Sequence, residues 1–304
     1  EAWMENVFGI VQPDVVMLGG VLEKFARVAI DIAKSKRLRI GIFAEQPSPA
    51  TPLMSLLKRQ YYKARLRKIC PDFVLAVGDR AFDYYSQLLP GNSHVAMMPY
   101  YQNLEPAFQV ARGSRPAHIR FLFSGRLLAR NSIRHITDAF GLLADARPGR
   151  FAWCISGYGS EESYLAQCLK LRPALARVVS YDREFTKWND RLRPFMNSDV
   201  LVVPAEYSGW GLVVPEALAC GLAVITTRNV EAARYFVEDG LNGIFVENTE
   251  ASIYSALAYC VDNVDVVQRM QSQARELAIR GDVKLGSKRF VNLMNRWFSG
   301  NILG

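Results

Sequence analysis

The 304 residues carry 37 lysine and arginine side chains against 29 acidic ones, a formal net charge of +8, and half of all residues are hydrophobic. This composition can bury the cores of two ordinary domains and excludes an intrinsically disordered chain. The basic excess favours an anionic partner, but charge alone does not distinguish a nucleotide from a nucleic acid or a membrane surface.

Cysteine usage and hydropathy indicate the compartment. The five cysteines are widely spaced and form no Cys-x-x-Cys pair, which is typical of reduced residues in a cytosolic protein. No apolar run approaches the roughly 18 residues that span a bilayer, and no secretory signal opens the sequence. We therefore expect a cytoplasmic protein. The sequence begins with Glu1 inside a segment that is predicted to be helical, so we also expect the first domain to be truncated.

Short β-rich runs alternate with helical stretches along the chain. Four candidate strands come first, at 14–18, 39–44, 73–78 and 95–100. Six more follow, at 119–125, 150–157, 177–181, 199–205, 222–227 and 243–247. Near-continuous apolar strands separated by helices indicate parallel sheets covered on both faces. The sequence predicts an α/β fold of two Rossmann-like, doubly wound domains.

One segment interrupts this alternation. Residues 104–118 have no clear period and contain two prolines and a glycine, so they are typical of an interdomain connection. We predict a first domain over 1–106, a linker over 107–118 and a second domain over 119–285. Residues 286–304 place apolar side chains on one face, which predicts an amphipathic helix that crosses back to the first domain.

The first chemical motif is "FSGRLLARN", residues 123–131. A strand ends at Ser124 and Gly125, and Arg126 follows. Ligands of open α/β sheets lie at the carboxyl ends of strands. An arginine there offers a planar, permanently charged group that suits a phosphate. A surface ion pair is the alternative role for this side chain.

The second motif is "CISGYGSEESYL", residues 154–165, with Gly157 and Gly159 between a strand and a helix that Ser160 is predicted to cap. A dinucleotide-binding fingerprint needs another glycine near position 162, where Glu162 stands. Acidic residues in the first helical turn would also repel a pyrophosphate. The motif favours a tight strand-to-helix turn and argues against a nicotinamide-dependent oxidoreductase.

The third motif is "YSGWGLVVPEALACG", residues 207–221. It places a flexible glycine loop before a helix that begins near Val214, with Pro215 in the first turn and Gly221 after the last. A glycine loop that leads into a helix can bind an anion with its free N–H groups. Glu216 accepts hydrogen bonds from sugar hydroxyls, or only complements the helix dipole.

All three motifs follow strands of one predicted domain, so they meet at one edge of its sheet. Together they imply an anionic ligand that carries hydroxyl groups, such as a nucleotide-sugar. No Asp-x-Asp motif occurs, and we expect neither a metal nor a cofactor.

The second half of the chain resembles the donor-binding domain of GT-B glycosyltransferases, specifically the retaining family 4 group. That group carries a segment written roughly "PSxxEGFGLVxLEAMACGxPVI", and residues 204–225 read "PAEYSGWGLVVPEALACGLAVI". The resemblance implies two Rossmann-like domains that face a cleft. It also implies metal-independent transfer, with retention, of a hexose-type sugar from a nucleotide-diphosphate donor to a hydroxyl acceptor. The expected acceptor is a growing bacterial surface polysaccharide (lipopolysaccharide, capsule or exopolysaccharide) or its lipid carrier.

The resemblance also implies roles for individual residues. Arg126 would hold the donor diphosphate and Glu216 would bind the ribose hydroxyls. The first glutamate of the family segment is replaced here by Ser208, and the family's phosphate-binding lysine by Asn131. Glu45 is the ionisable residue nearest to the place of a frequent family histidine. The expected catalytic set is therefore Arg126, Glu216, Ser208 and Glu45. The expected donor-binding set is Gly125, Arg126, Arg130, Asn131, Gly157, Tyr181, Asp182, Arg183, Glu206, Ser208, Gly209, Trp210, Gly211, Leu212, Val213 and Glu216.

Two alternatives to a glycosyltransferase stay open because of Ser208 and Asn131. One is a non-catalytic, nucleotide-sugar-binding partner subunit, and the other is a GT-B nucleotide-sugar epimerase.

Residues 56–68, "LLKRQYYKARLRK", form a basic segment that is predicted to be helical. This predicted helix either lies on an anionic membrane at its inner face or is simply solvated. A nucleic-acid partner is not expected, because no nucleic-acid-binding motif accompanies it. The cations of this predicted helix are Lys58, Arg59, Lys63, Arg65, Arg67 and Lys68.

Overall fold

A computed structural model describes residues 2–21, 24–49, 51–89, 91, 93–111, 118–182 and 188–298, with the backbone alone at 188 and 189. The chain divides into two compact units. The first unit contains Glu1–Tyr100 together with Gly286–Gly304, and the second contains Tyr101–Leu285. The boundary at residue 100 precedes the predicted end of the first domain by six residues.

The first unit is built on a four-stranded parallel sheet with the order β1-β2-β3-β4. Its strands are β1 (Val15–Leu18), β2 (Arg39–Ala44), β3 (Phe73–Ala76) and β4 (His94–Met97). Its helices are α1 (Ala2–Val11), α2 (Lys24–Ser35), α3 (Pro52–Ile69) and α4 (Asp79–Leu88). Strand β3 is buried at all four positions, so the core of this unit is centred on it.

A helix from the far end of the sequence packs on the sheet of the first unit. From Gly286 onwards, helix α14 (Val283–Trp297) belongs to this unit. The Trp297 ring stacks on His94 of β4, with 5.2 Å between ring centroids, and lies 5.8 Å from Phe73 of β3. Arg289 donates a hydrogen bond of 2.8 Å to the carbonyl oxygen of Met97. These contacts pack α14 against β3 and β4.

The second unit is built on a six-stranded parallel sheet with the order β10-β9-β8-β5-β6-β7. Its strands are β5 (Ile119–Ser124), β6 (Phe151–Ser156), β7 (Val179–Asp182), β8 (Val200–Val203), β9 (Ala223–Thr226) and β10 (Gly243–Phe245). The chain winds outwards from β5 through β6 and β7, then returns to the other side of β5 for β8. The order therefore reverses between β5 and β8, and ligands of open α/β sheets bind at such a reversal.

Helices cover both faces of this second sheet. They are α5 (Glu105–Phe108), α6 (Ile133–Ala146), α7 (Glu162–Leu171), α8 (Pro173–Ala176), α9 (Arg193–Met196), α10 (Val213–Ala219), α11 (Glu231–Phe236), α12 (Glu250–Asp262) and α13 (Val264–Ala278). Phe140 of α6 stacks on Trp153 of β6 with 4.1 Å between ring centroids, inside an aromatic core that also includes Phe121 and Phe151.

The predicted parallel α/β architecture is confirmed, and each of the ten predicted strands coincides with an observed one. Four predictions extended at least two residues too far at the carboxyl end: 73–78, 95–100, 199–205 and 243–247. Gly78 has a φ of +85° and turns the chain into α4, and prolines at 99 and 204 cannot donate a ladder hydrogen bond. The predicted cap at Ser160 is wrong. Helix α7 begins at Glu162, whose own carboxylate accepts a 2.8 Å hydrogen bond from the N–H of Gly159.

The segment predicted to be aperiodic, 104–118, contains the short helix α5, and its residues 112–117 lie outside the described ranges. Within the described ranges, no helix combines the length and the hydropathy that crossing a membrane requires.

Candidate functional site

The loops after β5 and β6 are packed backbone against backbone. The N–H of Gly125 donates to the carbonyl of Ser156, and that of Leu127 to the carbonyl of Tyr158, both at 2.9 Å. Gly157 has a φ of +139°, and a Cβ there would overlap the carbonyl oxygen of Gly125. A Cβ at Gly159 would likewise lie within 2.8 Å of backbone atoms of Leu127. The Gly-x-Gly motif therefore serves loop packing, as the tight-turn interpretation predicts.

This packing presents two arginines at the end of β5. Arg126 and Arg130 are both exposed, and the Arg126 guanidinium carbon lies 4.7 Å from the centroid of the Tyr158 ring. Asn131 donates a 2.6 Å hydrogen bond from Nδ2 to the carbonyl oxygen of Arg126. In this structure the Asn131 side chain thus shapes the loop that carries Arg126.

The glycine loop after β8 lies against the segment that follows β9. Ser208 donates its N–H to the carbonyl of Asn229 at 3.1 Å, and the carbonyl of the buried Trp210 accepts the N–H of Ala232 at 2.8 Å. Gly211 has a φ of +102°, and a Cβ there would lie 2.7 Å from Cγ1 of Val230. The loop reaches α10 at Leu212, where the first N–H groups of a helix have no intrahelical partner.

Two adjoining cavities lie at the ends of β5 and β8. One, of about 240 Å³, is lined by both arginines and by Ser208 and Gly211. The other, of about 580 Å³, is lined by Glu216 and Arg191. The cavities share four wall residues: Ser124, Gly125, Leu212 and Val213. The strand-order reversal thus brings the first and third motifs to a common wall.

Glu216 is held by two side chains that the sequence did not single out. Its Oε1 accepts hydrogen bonds from Gln102 Nε2 at 3.2 Å and from Arg191 Nε at 3.5 Å. Burial raises the pKa of the Glu216 carboxyl above its usual range, and the nearby Arg191 guanidinium and Gln102 amide oppose that shift. Both bonds reach Oε1, and no described residue bonds Oε2.

Gln102 is positioned by the backbone near the end of the second unit. Its N–H donates to the carbonyl of Gly281 at 2.9 Å, and its carbonyl accepts the N–H of Val283 at 2.8 Å. Its side-chain Oε1 is buried and has no hydrogen-bond partner among the described residues. Sequence patterns did not identify Gln102 or Arg191, because both reach Glu216 only through tertiary contacts.

Several predicted site residues lie elsewhere. Tyr181 and Asp182 line a third cavity of about 640 Å³, which shares no lining residue with the other two, and Arg183 lies outside the described residues. Glu206 is exposed, and neither it nor Gly209, Trp210 or Gly157 lines the two adjoining cavities. Glu45 belongs to the first unit, where its backbone carbonyl accepts a 3.2 Å hydrogen bond from the Tyr85 hydroxyl.

Known proteins resemble this chain in sequence. The family described as Glycosyl transferases group 1 matches residues 118–263. The D-inositol 3-phosphate glycosyltransferase of Paenarthrobacter aurescens is 29% identical over 172 residues, which are 52% of this chain and 39% of that protein. A relative of the same description from Geodermatophilus obscurus is 41% identical over 59 residues, 13% of its length. The chain therefore spans well under half of these curated relatives.

Solved structures decide the fold. A glycosyltransferase from Rickettsia africae superposes with a TM-score of 0.77 over 99% of this chain and 81% of its own, at 13% identity. Alr3699/HepE of Anabaena, solved with UDP, gives 0.78 over 96% and 81%, at 15% identity. The fold is GT-B. At such identities the structures establish the GT-B fold alone, and the match to Glycosyl transferases group 1 covers a little under half of this chain.

The close packing around Gly157 predicts that an added side chain there destabilises the second domain. We expect Gly157→Ala to lower the free energy of unfolding by at least about 2 kcal/mol, because the new Cβ overlaps a carbonyl and the residue keeps a left-handed φ. Gly149→Ala is the matched control: its φ is +71°, but a Cβ there meets open space, so only about 1 kcal/mol should be lost. Chemical denaturation of both variants measures the difference, and equal losses would contradict the packing argument.

The buried carboxylate predicts a pH dependence of stability. Because the folded-state pKa of Glu216 is raised, its contribution favours the folded state below the ordinary value of about 4.5 and is lost as pH rises through the raised value. We expect Glu216→Gln to gain stability relative to the native protein as pH goes from 4.5 towards neutrality. Denaturation curves across that range test this, with the exposed Glu206→Gln as control. If the difference in stability between the Glu216→Gln variant and the native protein does not change with pH, Glu216 does not titrate as a buried group.

Proposed function

We propose that this GT-B protein is a metal-independent, retaining glycosyltransferase of family 4. It transfers a hexose-type sugar from a nucleotide-diphosphate donor to a hydroxyl acceptor. The observation that carries the proposal is the pair of adjoining cavities at the β5–β8 reversal, one lined by arginines and one by Glu216. A nucleotide-sugar needs both kinds of lining, because its diphosphate is anionic and its ribose carries hydroxyl groups.

The smaller cavity suits the diphosphate. Arg126 and Arg130 line it, and both are exposed and can turn towards a ligand. Helix α10 has only seven residues, so its macrodipole adds little, and the main-chain N–H groups at its start matter more than the dipole. Neutralising the leaving diphosphate with fixed donors lowers the barrier to transfer, and such electrostatic stabilisation is usually the largest catalytic contribution.

The larger cavity suits the ribose. With Oε1 of Glu216 held by Gln102 and Arg191, Oε2 is the oxygen that a ribose hydroxyl would reach. A carboxylate that is already oriented and hydrogen-bonded costs less to organise when ligand arrives. The buried Oε1 of Gln102 offers an acceptor for a second donor group of the ligand. Gln102 is therefore part of the proposed nucleotide site.

The donor and acceptor are proposed on further grounds. HepE, which shares the fold, was solved with UDP, and this supports a uridine or other nucleoside diphosphate donor. Retention and the family 4 assignment rest on the likeness of residues 204–225 to the family segment. We propose as acceptor a growing bacterial surface polysaccharide or its lipid carrier, and we place the protein in the cytoplasm, at the inner face of the membrane.

A second candidate, a non-catalytic nucleotide-sugar-binding subunit, is favoured by two replacements of family residues. Asn131 stands where the family has a phosphate-binding lysine, and its amide is engaged with the carbonyl of Arg126. Ser208 stands where the family has a glutamate that touches the donor sugar, and it lines the arginine cavity. Binding without turnover is the property that separates this candidate from the enzyme.

The diphosphate assignment is tested by calorimetry with UDP. Arg126→Ala should weaken UDP binding by about 10- to 150-fold, the range that corresponds to losing a charge-assisted hydrogen bond. Arg177→Ala removes another exposed arginine of the same unit that lines none of the three cavities and should leave the affinity unchanged. Equal affinities of the Arg126→Ala variant and the native protein would exclude Arg126 from the site.

Turnover tests the enzyme assignment. A panel of nucleotide-sugars is incubated with and without glycan acceptors, and nucleoside diphosphate release and sugar products are measured. We expect acceptor-dependent transfer that Glu216→Gln lowers by about 10- to 150-fold in kcat/KM, because the neutral amide binds ribose less strongly than a carboxylate. Donors that bind but never react would establish the non-catalytic subunit. An altered sugar nucleotide formed without any acceptor would establish the epimerase.

A further inference from the structure

Glu216 is paired with a residue from a different part of the second unit. Arg191 lies on the 3₁₀-helix Trp188–Leu192, in the connection from β7 to β8, whereas Glu216 lies on α10, which follows β8. Nε of Arg191 is 3.5 Å from Oε1 of Glu216. The buried residues Leu192 and Phe195 follow Arg191, and α9 packs on β5. The packing of this connection therefore fixes where Arg191 meets α10.

Both side chains of this pair are largely withdrawn from solvent. The side chain of Arg191 is 22% exposed and that of Glu216 is 17% exposed, so water and salt screen the pair less than they screen a surface ion pair. Burial raises the pKa of the Glu216 carboxyl, and the charge and the hydrogen bond of Arg191 oppose this shift more strongly than the Gln102 amide does. Arg191 is therefore the main group that favours the ionised form of Glu216.

The larger cavity holds this pair apart from the other charges of the site. Arg191 and Glu216 are the charged residues among the described residues that line it. Arg126 and Arg130 line the adjoining, smaller cavity instead. Within the described wall of the larger cavity, the charge of Glu216 is thus opposed by a single guanidinium.

The elements around α10 add no other charge to the described wall of this cavity. Next to Arg191, Asp190 lines none of the three cavities and Arg193 lines the third. Helices α5, α11 and α13 pack on α10, and their charged residues line none of the three. From α5 and α11 these residues are Glu105, Glu231 and Arg234, and from α13 they are Asp265, Arg269, Arg275 and Glu276.

We propose that Arg191 is a positioning residue of the nucleotide site, which keeps the Glu216 carboxylate ionised and oriented so that nucleotide binding resists acidification. An ionised carboxylate accepts charge-assisted hydrogen bonds from hydroxyl groups, whereas a protonated carboxyl accepts weaker ones and presents a donor. Arg191 engages Oε1 and thereby leaves Oε2 to the ligand. The inference rests on the proposed function, because it takes Glu216 as the group that binds ribose.

The test is calorimetry with UDP-glucose at about pH 5.5 and about pH 8.5. Both phosphates of this ligand are esterified, so its charge is constant across the range. Arg191→Gln and Arg191→Met both remove the guanidinium, and each should weaken binding about 5- to 30-fold more at the lower pH. That factor is the difference between a charge-assisted and a neutral hydrogen bond. Arg191→Lys retains the charge and should keep the native pH dependence, and Glu216→Gln should bind weakly and equally at both pH values.

Arg120→Gln is the matched control. The side chain of Arg120 is 28% exposed and pairs with the buried carboxylate of Asp199 at 3.2 Å, but it lines neither of the two adjoining cavities. This variant should bind UDP-glucose as the native chain does at both pH values, even where its melting temperature falls. Thermal melts of all variants verify folding.

Three results would overturn the proposal. The first is a loss of affinity in the Arg191→Gln and Arg191→Met variants that is equal at both pH values, which indicates direct contact with the ligand or a structural role. The second is an unchanged affinity in both variants, and the third is the same pH-dependent loss in Arg120→Gln. Each of these leaves the proposed function standing. A native chain that binds no UDP-glucose at either pH would instead overturn the proposed function and this inference together.

Discussion

The reversal of strand order between β5 and β8 is the constraint on which the site of the second domain depends. On one side of it the chain winds outwards through β6 and β7, and on the other through β9 and β10, so the loops leaving β5 and β8 diverge and leave a crevice. Into this crevice β5 brings Arg126 and β8 brings the glycine loop and Glu216. The remaining features keep these two loops in place: glycines let one loop pack on its neighbour, and Trp210 anchors the other.

The charged groups around this crevice differ in their burial. Glu216 is buried enough to resist ionisation, and Arg191 and Gln102 favour its ionised form. The arginines of the neighbouring cavity remain exposed. The buried Glu216 can orient a neutral group that carries hydroxyls, and the accessible arginines can attract an anion. That division of roles is the physical basis of the proposed nucleotide-sugar site.

Local patterns in the sequence were sufficient for the architecture. Apolar runs such as 119–125 and 222–227 identified all ten strands, because buried parallel strands are apolar on both faces. The role of Gly157 in a tight turn was also predictable, because its motif joins a strand to a helix and lacks the third glycine of a dinucleotide site. Gln102 and Arg191 were not predictable, since 114 and 25 residues of sequence separate them from Glu216. The Ser160 cap failed because the helix begins at Glu162, which places Glu161 and not Ser160 at the cap position, and no side chain caps the helix there.

The stacking of Trp297 on His94 means that the first domain is discontinuous in sequence. Its sheet is made by residues before 100, yet residues after 286 pack on β3 and β4. Topologically, the second domain is an insertion within the first. On the ribosome, β3 and β4 emerge long before the helix that packs on them, while the second domain can fold without interruption. The packing of β3 and β4 therefore waits for residues that are synthesised after the whole second domain.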